Sequence, residues 1–200
     1  MQGATSKGTI ALAFTSLFAV TLVTVHVIEP ETNLNPVSLY SLGPFGFVMR
    51  TGFVVLGLAF FSIVVGLRGQ AKTTTLYSVD LVMLSIAGAG LVTVGVFNTD
   101  AIGTSSTLSG LIHSSAANVW SISAIVGIFL FAIAFRQDGK SIAIGRTSRN
   151  LGLAAIITYL AGFLGLGAVQ PRLFFAIVVL WLSLVANQLR SGKLTNLADT

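Results

Sequence analysis

The chain has 200 residues, enough for one domain or two small ones, but its composition excludes a soluble one: 54% of residues are hydrophobic, only 8% are charged, and the mean hydropathy is +0.91, whereas soluble domains carry roughly 25% charged residues. The net charge of +5 is spread over short hydrophilic gaps between apolar blocks, with no basic-aromatic platform, which argues against nucleic acid as a partner. Cysteine is absent, so disulfides and thiolate metal sites are excluded.

A helix needs about 20 apolar residues to cross the hydrocarbon core of a bilayer. Six blocks qualify, at about 8–28, 45–67, 76–97, 111–135, 151–169 and 173–189, and predict an all-α, single-domain bundle of six transmembrane helices. The first is too long for a signal-peptide core and no Ala-x-Ala-like cleavage site follows it, so it is expected as a mature helix. It ends in His26-Val27-Ile28-Glu29-Pro30. The connection that follows carries Glu31, Asn33, Asn35, Ser38 and Tyr40, with turn chemistry at Asn35-Pro36 and Gly43-Pro44-x-Gly46. It reads as an ordered loop rather than a helix, of a length that is often functional.

Helix 2 carries Arg50 within its first two turns. Helix 3 has Asp80 near its start, where the helix macrodipole favours a carboxylate, and a small-residue run Ala87-Gly88-Ala89-Gly90 suited to close packing. It leaves through Phe97-Asn98-Thr99-Asp100. Helix 4 opens with His113, carries Asn118 two turns deeper, and has Ser123 and Gly127; helix 5 has Ala161 and Gly165. The last two blocks, separated by Gln170, Pro171 and Arg172, predict a tight hairpin, because the residue before a proline is pushed out of the α region. Trp120, Trp181 and Tyr159 read as packing residues or interfacial anchors.

Basic residues set the expected orientation. Lys7, Arg68, Lys72, Arg136, Lys140, Arg146, Arg149, Arg190 and Lys193 fall on one side, nine of the eleven in the chain, which predicts both termini in the cytoplasm. The unusual polar residues then share the opposite face: His26, Glu29, Asn35, Ser38, Tyr40, Arg50, Asp100, His113 and Arg172. Ionisable groups at membrane depth are functional candidates by default. Two histidines with carboxylates nearby suit a divalent metal or a proton relay; the same set, His26, Glu29, Asp100 and His113, equally suits a hydrogen-bonded clasp between helices 1, 3 and 4. Arg50 and Arg172 either pair with Asp100 or a glutamate, hold a phosphate or carboxylate head group together with Asn35, Ser38 and Tyr40, or snorkel to the interface.

The motifs His26-x-x-Glu29-Pro30, Asn35-Pro36-x-Ser38-x-Tyr40-x-x-Gly43-Pro44-x-Gly46, Phe97-x-Thr99-Asp100, His113 and Gln170-Pro171-Arg172 with Trp181 resemble a bacterial and archaeal membrane family, domain of unknown function 998. The resemblance spans nearly the whole chain. Asn98 stands where the family pattern usually has proline, and Pro171 interrupts its Gln-Arg pair. The resemblance implies six helices and a polar cluster acting as a unit, and it brings no activity with it. The architecture is also loosely similar to Frag1/DRAM/Sfk1-type proteins, which are associated with lipid homeostasis.

Several functions compete on these residues. The first is a lipid-binding protein or accessory subunit of the bacterial or archaeal cell membrane, with lipids and other membrane subunits as partners. The second is a metal-dependent intramembrane hydrolase or lipid-modifying enzyme, with His26, Asp100 and His113 as ligands and Glu29 as acid or base. A transporter, or a haem or pigment protein using the two histidines, comes last.

Overall fold

The computed structural model describes residues 2–68, 70, 74–137, 142–164 and 168–194. Within them lie six α-helices: α1 (Gln2–Ile28), α2 (Gly46–Leu67), α3 (Thr75–Val96), α4 (Leu108–Gln137), α5 (Ile142–Ala161) and α6 (Val169–Arg190). Short 3₁₀ helices occupy Pro30–Thr32 and Val37–Leu42 of the first connection, and Gly162–Leu164 follows α5. The first connection is thus ordered and non-α, as its turn residues predict, and it buries Val37, Tyr40 and Ser41.

All helices but α5 are long and apolar enough to cross a membrane, so the chain is a multi-pass membrane protein. α5 departs from the expected 151–169. It begins at Ile142 and stops at Ala161. The cause upstream is packing: Ile144, Gly145, Ser148, Gly152 and Ala155 form a buried stripe, and Trp181 Nε1 donates to Ser148 Oγ at 3.1 Å. Arg146 and Arg149 are turned outward and shorten the apolar stretch. Downstream, Gly162 is the first of three closely spaced glycines, each costing about 1 kcal/mol in a helix interior.

The expected turn at Gln170–Arg172 is also corrected. These residues form the first turn of α6, where proline's missing N–H has no intrahelical partner to lose. The chain reverses earlier, between Ala161 and Val169. Lys72 and Lys140, used for the expected orientation, and Gly165, half of an expected packing motif, lie outside the described residues.

Neighbouring helices pack antiparallel, and α6 returns to α1, so the six close into a ring. Glycines mark the seams. A Cβ on Gly8 would sit 2.7 Å from the Ala186 carbonyl, joining the start of α1 to the end of α6. One on Gly57 would meet the Gly88 carbonyl at 2.7 Å, and one on Gly90 would meet Trp120 Cβ at 2.7 Å. The small run of helix 3 thus packs on both sides, against α2 and α4. The ring centre is filled by aromatic rings: Phe18, Phe53, Trp120, Phe174 and Phe175 in one half, and Phe131, Phe135 and Trp181 in the other.

Two ends result. The basic end carries Lys7, Arg68, Arg136, Arg190 and Lys193. The loop end carries His26, Glu29, Arg50, Asp100, His113 and Arg172. Asp80 is corrected as well: it lies beyond the first turn of α3, whose N-cap is Thr74, and is fully buried with neither carboxyl oxygen hydrogen-bonded.

The α2–α3 crossing leaves no room for a methyl group. Gly57→Ala is expected to cost about 1–3 kcal/mol through overpacking, read as a lower melting temperature in detergent. Gly3→Ala, where nothing lies within 4 Å, should leave the melt unchanged.

Candidate functional site

Most polar residues of the loop end are spent on helix termini. The first N–H and last C=O groups of a helix have no intrahelical partner, and near hydrocarbon each unpaired group is costly. Glu29, only 2% exposed, accepts from the Phe45 N–H at 2.9 Å and so caps the start of α2. Its other oxygen lies where a Cβ of Gly43 would be, 1.8 Å away. Gly43 has ordinary extended geometry, so the space it leaves is what the site requires. Arg50 caps the end of α3, donating from Nε to the Gly95 carbonyl at 3.1 Å and from Nη2 to the Val96 carbonyl at 3.2 Å.

Asp100 sits over the start of α4. It accepts from the Thr107 N–H at 3.0 Å and the Thr107 hydroxyl at 2.7 Å, and the Thr107 oxygen accepts in turn from the Gly110 N–H. The Thr107 backbone donor, then its hydroxyl, hold the Asp100 carboxyl below its ordinary value, with a smaller contribution from His113 and against some desolvation. His113, 3% exposed, places Nδ1 2.8 Å from the Phe97 carbonyl at the end of α3.

His26 and Arg172 belong together. Arg172 Nε donates to His26 Nε2 at 2.6 Å; Nη1 donates to the Asn35 carbonyl at 2.8 Å and the Ala168 carbonyl at 2.5 Å; Nη2 donates to the Tyr40 hydroxyl at 3.3 Å. The Tyr40 hydroxyl donates to Asn33 Oδ1, and Asn33 Nδ2 returns to the His26 carbonyl at 3.3 Å. His26 Nδ1 lies 2.6 Å from the Leu22 carbonyl, which can only accept, so Nδ1 carries the hydrogen and Nε2 is the acceptor Arg172 needs. This circuit ties α1, the first connection and α6 where the ring closes.

The four residues expected as one metal or catalytic set are therefore divided between separate structures. His26 serves the Arg172 clasp, Glu29 and Asp100 cap different helices, and His113 holds the end of α3. Among the described residues no three of His, Asp and Glu converge to hold a metal. The expected four-residue clasp gives way to the His26–Arg172 circuit. Both arginines meet carbonyls, with imidazole and phenol added at Arg172, rather than carboxylates. Asn35 contributes its carbonyl to that circuit, and Ser38 lies apart from it.

Ser38 instead roofs a cavity of about 300 Å³ at the loop end of the ring. Pro36 and Val37 complete the roof. Phe53, Trp120, Phe174 and Phe175 form an aromatic floor, with Trp120 stacked on Phe175 at 5.1 Å. The wall carries His113, Ser114, Asn118, Ser121, Tyr159 and Gln170. Asn118 lies ten residues into α4, roughly 15 Å along its axis at about 1.5 Å per residue. There it accepts from the Tyr159 hydroxyl at 3.0 Å. Ser114 and Asn118 line the cavity and are also exposed, so its wall on α4 reaches the surface of the bundle.

Sequence reasoning places His113, Asn118 and Gln170 at this end but does not single out the cavity, and it reads Trp120 and Tyr159 as packing. The signal was present: His113, Ser114, Ala117, Asn118 and Ser121 recur at helical spacing on one face of an otherwise apolar helix. A family model described as "Protein of unknown function (DUF998)" matches residues 9–188. No curated protein and no solved structure matches the chain.

Two outcomes test the assigned roles. Arg172→Lys keeps the charge but loses the planar fork, and is expected to cost about 1–3 kcal/mol; in detergent melts, adding His26→Ala to it should cost less than His26→Ala alone. For Asp100, the folded carboxyl titrates below the ordinary value of 3.8. Its contribution is therefore full above that value and lost as pH falls through the lower folded value. The melting gap between wild type and Asp100→Ala should be open at neutral pH and close on acidification through this range.

Proposed function

We propose that this chain, which belongs to the DUF998 family, is a non-catalytic binding protein of a prokaryotic cell membrane that holds a lipid-like amphiphile in the cavity at its loop end. The proposal includes six crossings, with α5 carried between α4 and α6, and both termini in the cytoplasm. The loop end then faces away from the cytoplasm, as the basic residues of the other end favour.

The cavity is the observation that carries this reading. Ligand pockets are concave, largely apolar, and orient their occupant with few polar groups. Here the floor is aromatic, the wall offers hydrogen-bonding groups and no Lys, Arg, Asp or Glu among the described residues, and Ser114 and Asn118 carry it to the exposed flank of α4. At about 300 Å³ it holds roughly ten water-sized groups of about 30 Å³ each, a head group and the first part of one chain. The rest of the chain would leave past Ser114 and Asn118.

The other readings have less behind them. A metal-assisted hydrolase needs ligands and an acid or base around one point, and the loop-end histidines and carboxylates each have separate duties. A transport path would have to continue through the floor formed by Phe53, Trp120, Phe174 and Phe175. For an accessory subunit, a shallow groove between α3 and α4 lined by Ala89, Gly90, Thr93, Ser115 and Ala116 favours contact with a partner helix. That groove has no deep or polar feature comparable to the cavity.

Native mass spectrometry of the protein extracted in several mild detergents tests the proposal. Wild type should retain lipid, and Ala117→Phe, which fills the cavity from its wall, should lose it while keeping its melting temperature within a few degrees. Wild type without retained lipid in every detergent, or Ala117→Phe with as much lipid as wild type, would refute the cavity as a lipid site.

A further inference from the structure

Along α4 and α5 the cavity wall offers more free acceptors than free donors. His113 Nδ1 faces the Phe97 carbonyl, which can only accept, so Nδ1 bears the hydrogen. In the neutral tautomer that this contact selects, Nε2 is a lone-pair acceptor with no partner among the described residues, on a side chain that is 3% exposed and lines the cavity. Ser114 and Ser121 direct their hydrogens to the Gly110 and Ala117 carbonyls of their own helix, the second at 2.8 Å. Tyr159 donates to Asn118. Each of these oxygens keeps lone pairs and has no hydrogen left to give. The wall on α4 and α5 is therefore an acceptor surface, while the hydroxyls of Ser38 and Thr99, which line the cavity from the connections, have no acceptor among the described residues.

Charge narrows the choice further. Among the described residues no Lys, Arg, Asp or Glu lines the cavity, and Arg50 and Arg172 are engaged elsewhere. A phosphate or carboxylate would be desolvated with no cationic side chain beside it. An ammonium would be desolvated with no carboxylate to receive it. A head that can only accept, such as a ketone or ether, would leave His113 Nε2 unpaired. A hydroxyl satisfies both requirements: its hydrogen goes to the imidazole, and its oxygen accepts from the rim, where the Gln170 amide hydrogens have no acceptor among the described residues.

Resting on the reading of the cavity as a lipid site, we propose that its ligand is an uncharged lipid alcohol, whose hydroxyl donates to His113 Nε2 while its chain passes over the aromatic floor and out past Ser114 and Asn118. His113 serves here as a binding residue, and no bond is made or broken.

Trp120 in the floor reports on occupancy, and Trp181→Phe leaves it as the sole tryptophan of the chain. This variant, reconstituted in phosphatidylcholine vesicles, is titrated with a chain-brominated stearyl alcohol, its methyl ether and its phosphate monoester. Brominated phosphatidylcholine sets the background quenching. The alcohol should quench Trp120 at a mole fraction at least about tenfold lower than the ether, as loss of one buried hydrogen bond implies, and the phosphate should not exceed background. Added His113→Phe should abolish the difference between alcohol and ether; a difference that persists would remove His113 as the acceptor. Should that variant not fold, the comparison of the three lipids still decides. Ether or phosphate quenching at the alcohol's mole fraction would overturn the alcohol assignment and leave the lipid site standing. No quenching above background by any of the three would overturn both.

Discussion

In hydrocarbon a helix is acceptable because its backbone groups satisfy one another, and at its ends they no longer can. That cost governs the loop end of this protein. Glu29 and Asp100 fold back on the starts of α2 and α4, Arg50 covers the end of α3, and His113 reaches across to the carbonyl that follows it. These are four of the chain's rare ionisable side chains, and they serve turns between helices. What resembles a reactive cluster in one dimension is largely the chemistry needed to reverse a chain near lipid.

The His26–Arg172 circuit solves a related problem at another scale. A ring of six helices packed on their sequence neighbours has one joint without a connecting loop, between α1 and α6. A guanidinium with three acceptor types around it, braced by Tyr40 and Asn33, closes that joint at the loop end, and Gly8 lets the helices touch at the other. Closure leaves a centre that aromatic rings fill incompletely. The cavity is the remainder, lined by the polar stripe of α4, of which His113 alone also serves a helix terminus.

Much of this was legible in the sequence. α2, α3 and α4 fall within a few residues of their apolar blocks, because length and hydropathy are what a membrane selects. The Ala87–Gly90 run announces the tight seams it makes. The limits of α5 were not legible, since its charged first turns are held by a buried stripe of small residues and by Trp181, contacts that hydropathy does not register. Pro171 misled for a similar reason, being harmless in a first turn and disruptive one turn later. For the polar residues, convergence on one end followed from alternation of the helices, but pairing did not. Only the fold shows that His26 meets Arg172, 146 positions away, while Glu29, three positions away, turns to α2.

The carboxylate caps also tie positions together in heredity. Gly43 and Gly110 adopt no backbone conformation reserved to glycine; each is excluded from bearing a side chain by a carboxylate, Glu29 in one case and Asp100 in the other, with an oxygen 1.8 or 1.9 Å from the would-be Cβ. The penalty for a side chain at 43 or 110 is thus conditional on what stands at 29 or 100, so the substitutions are epistatic and their costs do not add. A lineage that lost Glu29 would be released from glycine at 43, and one that kept it would not. These four positions should drift as two linked pairs, each changing in step with its mate.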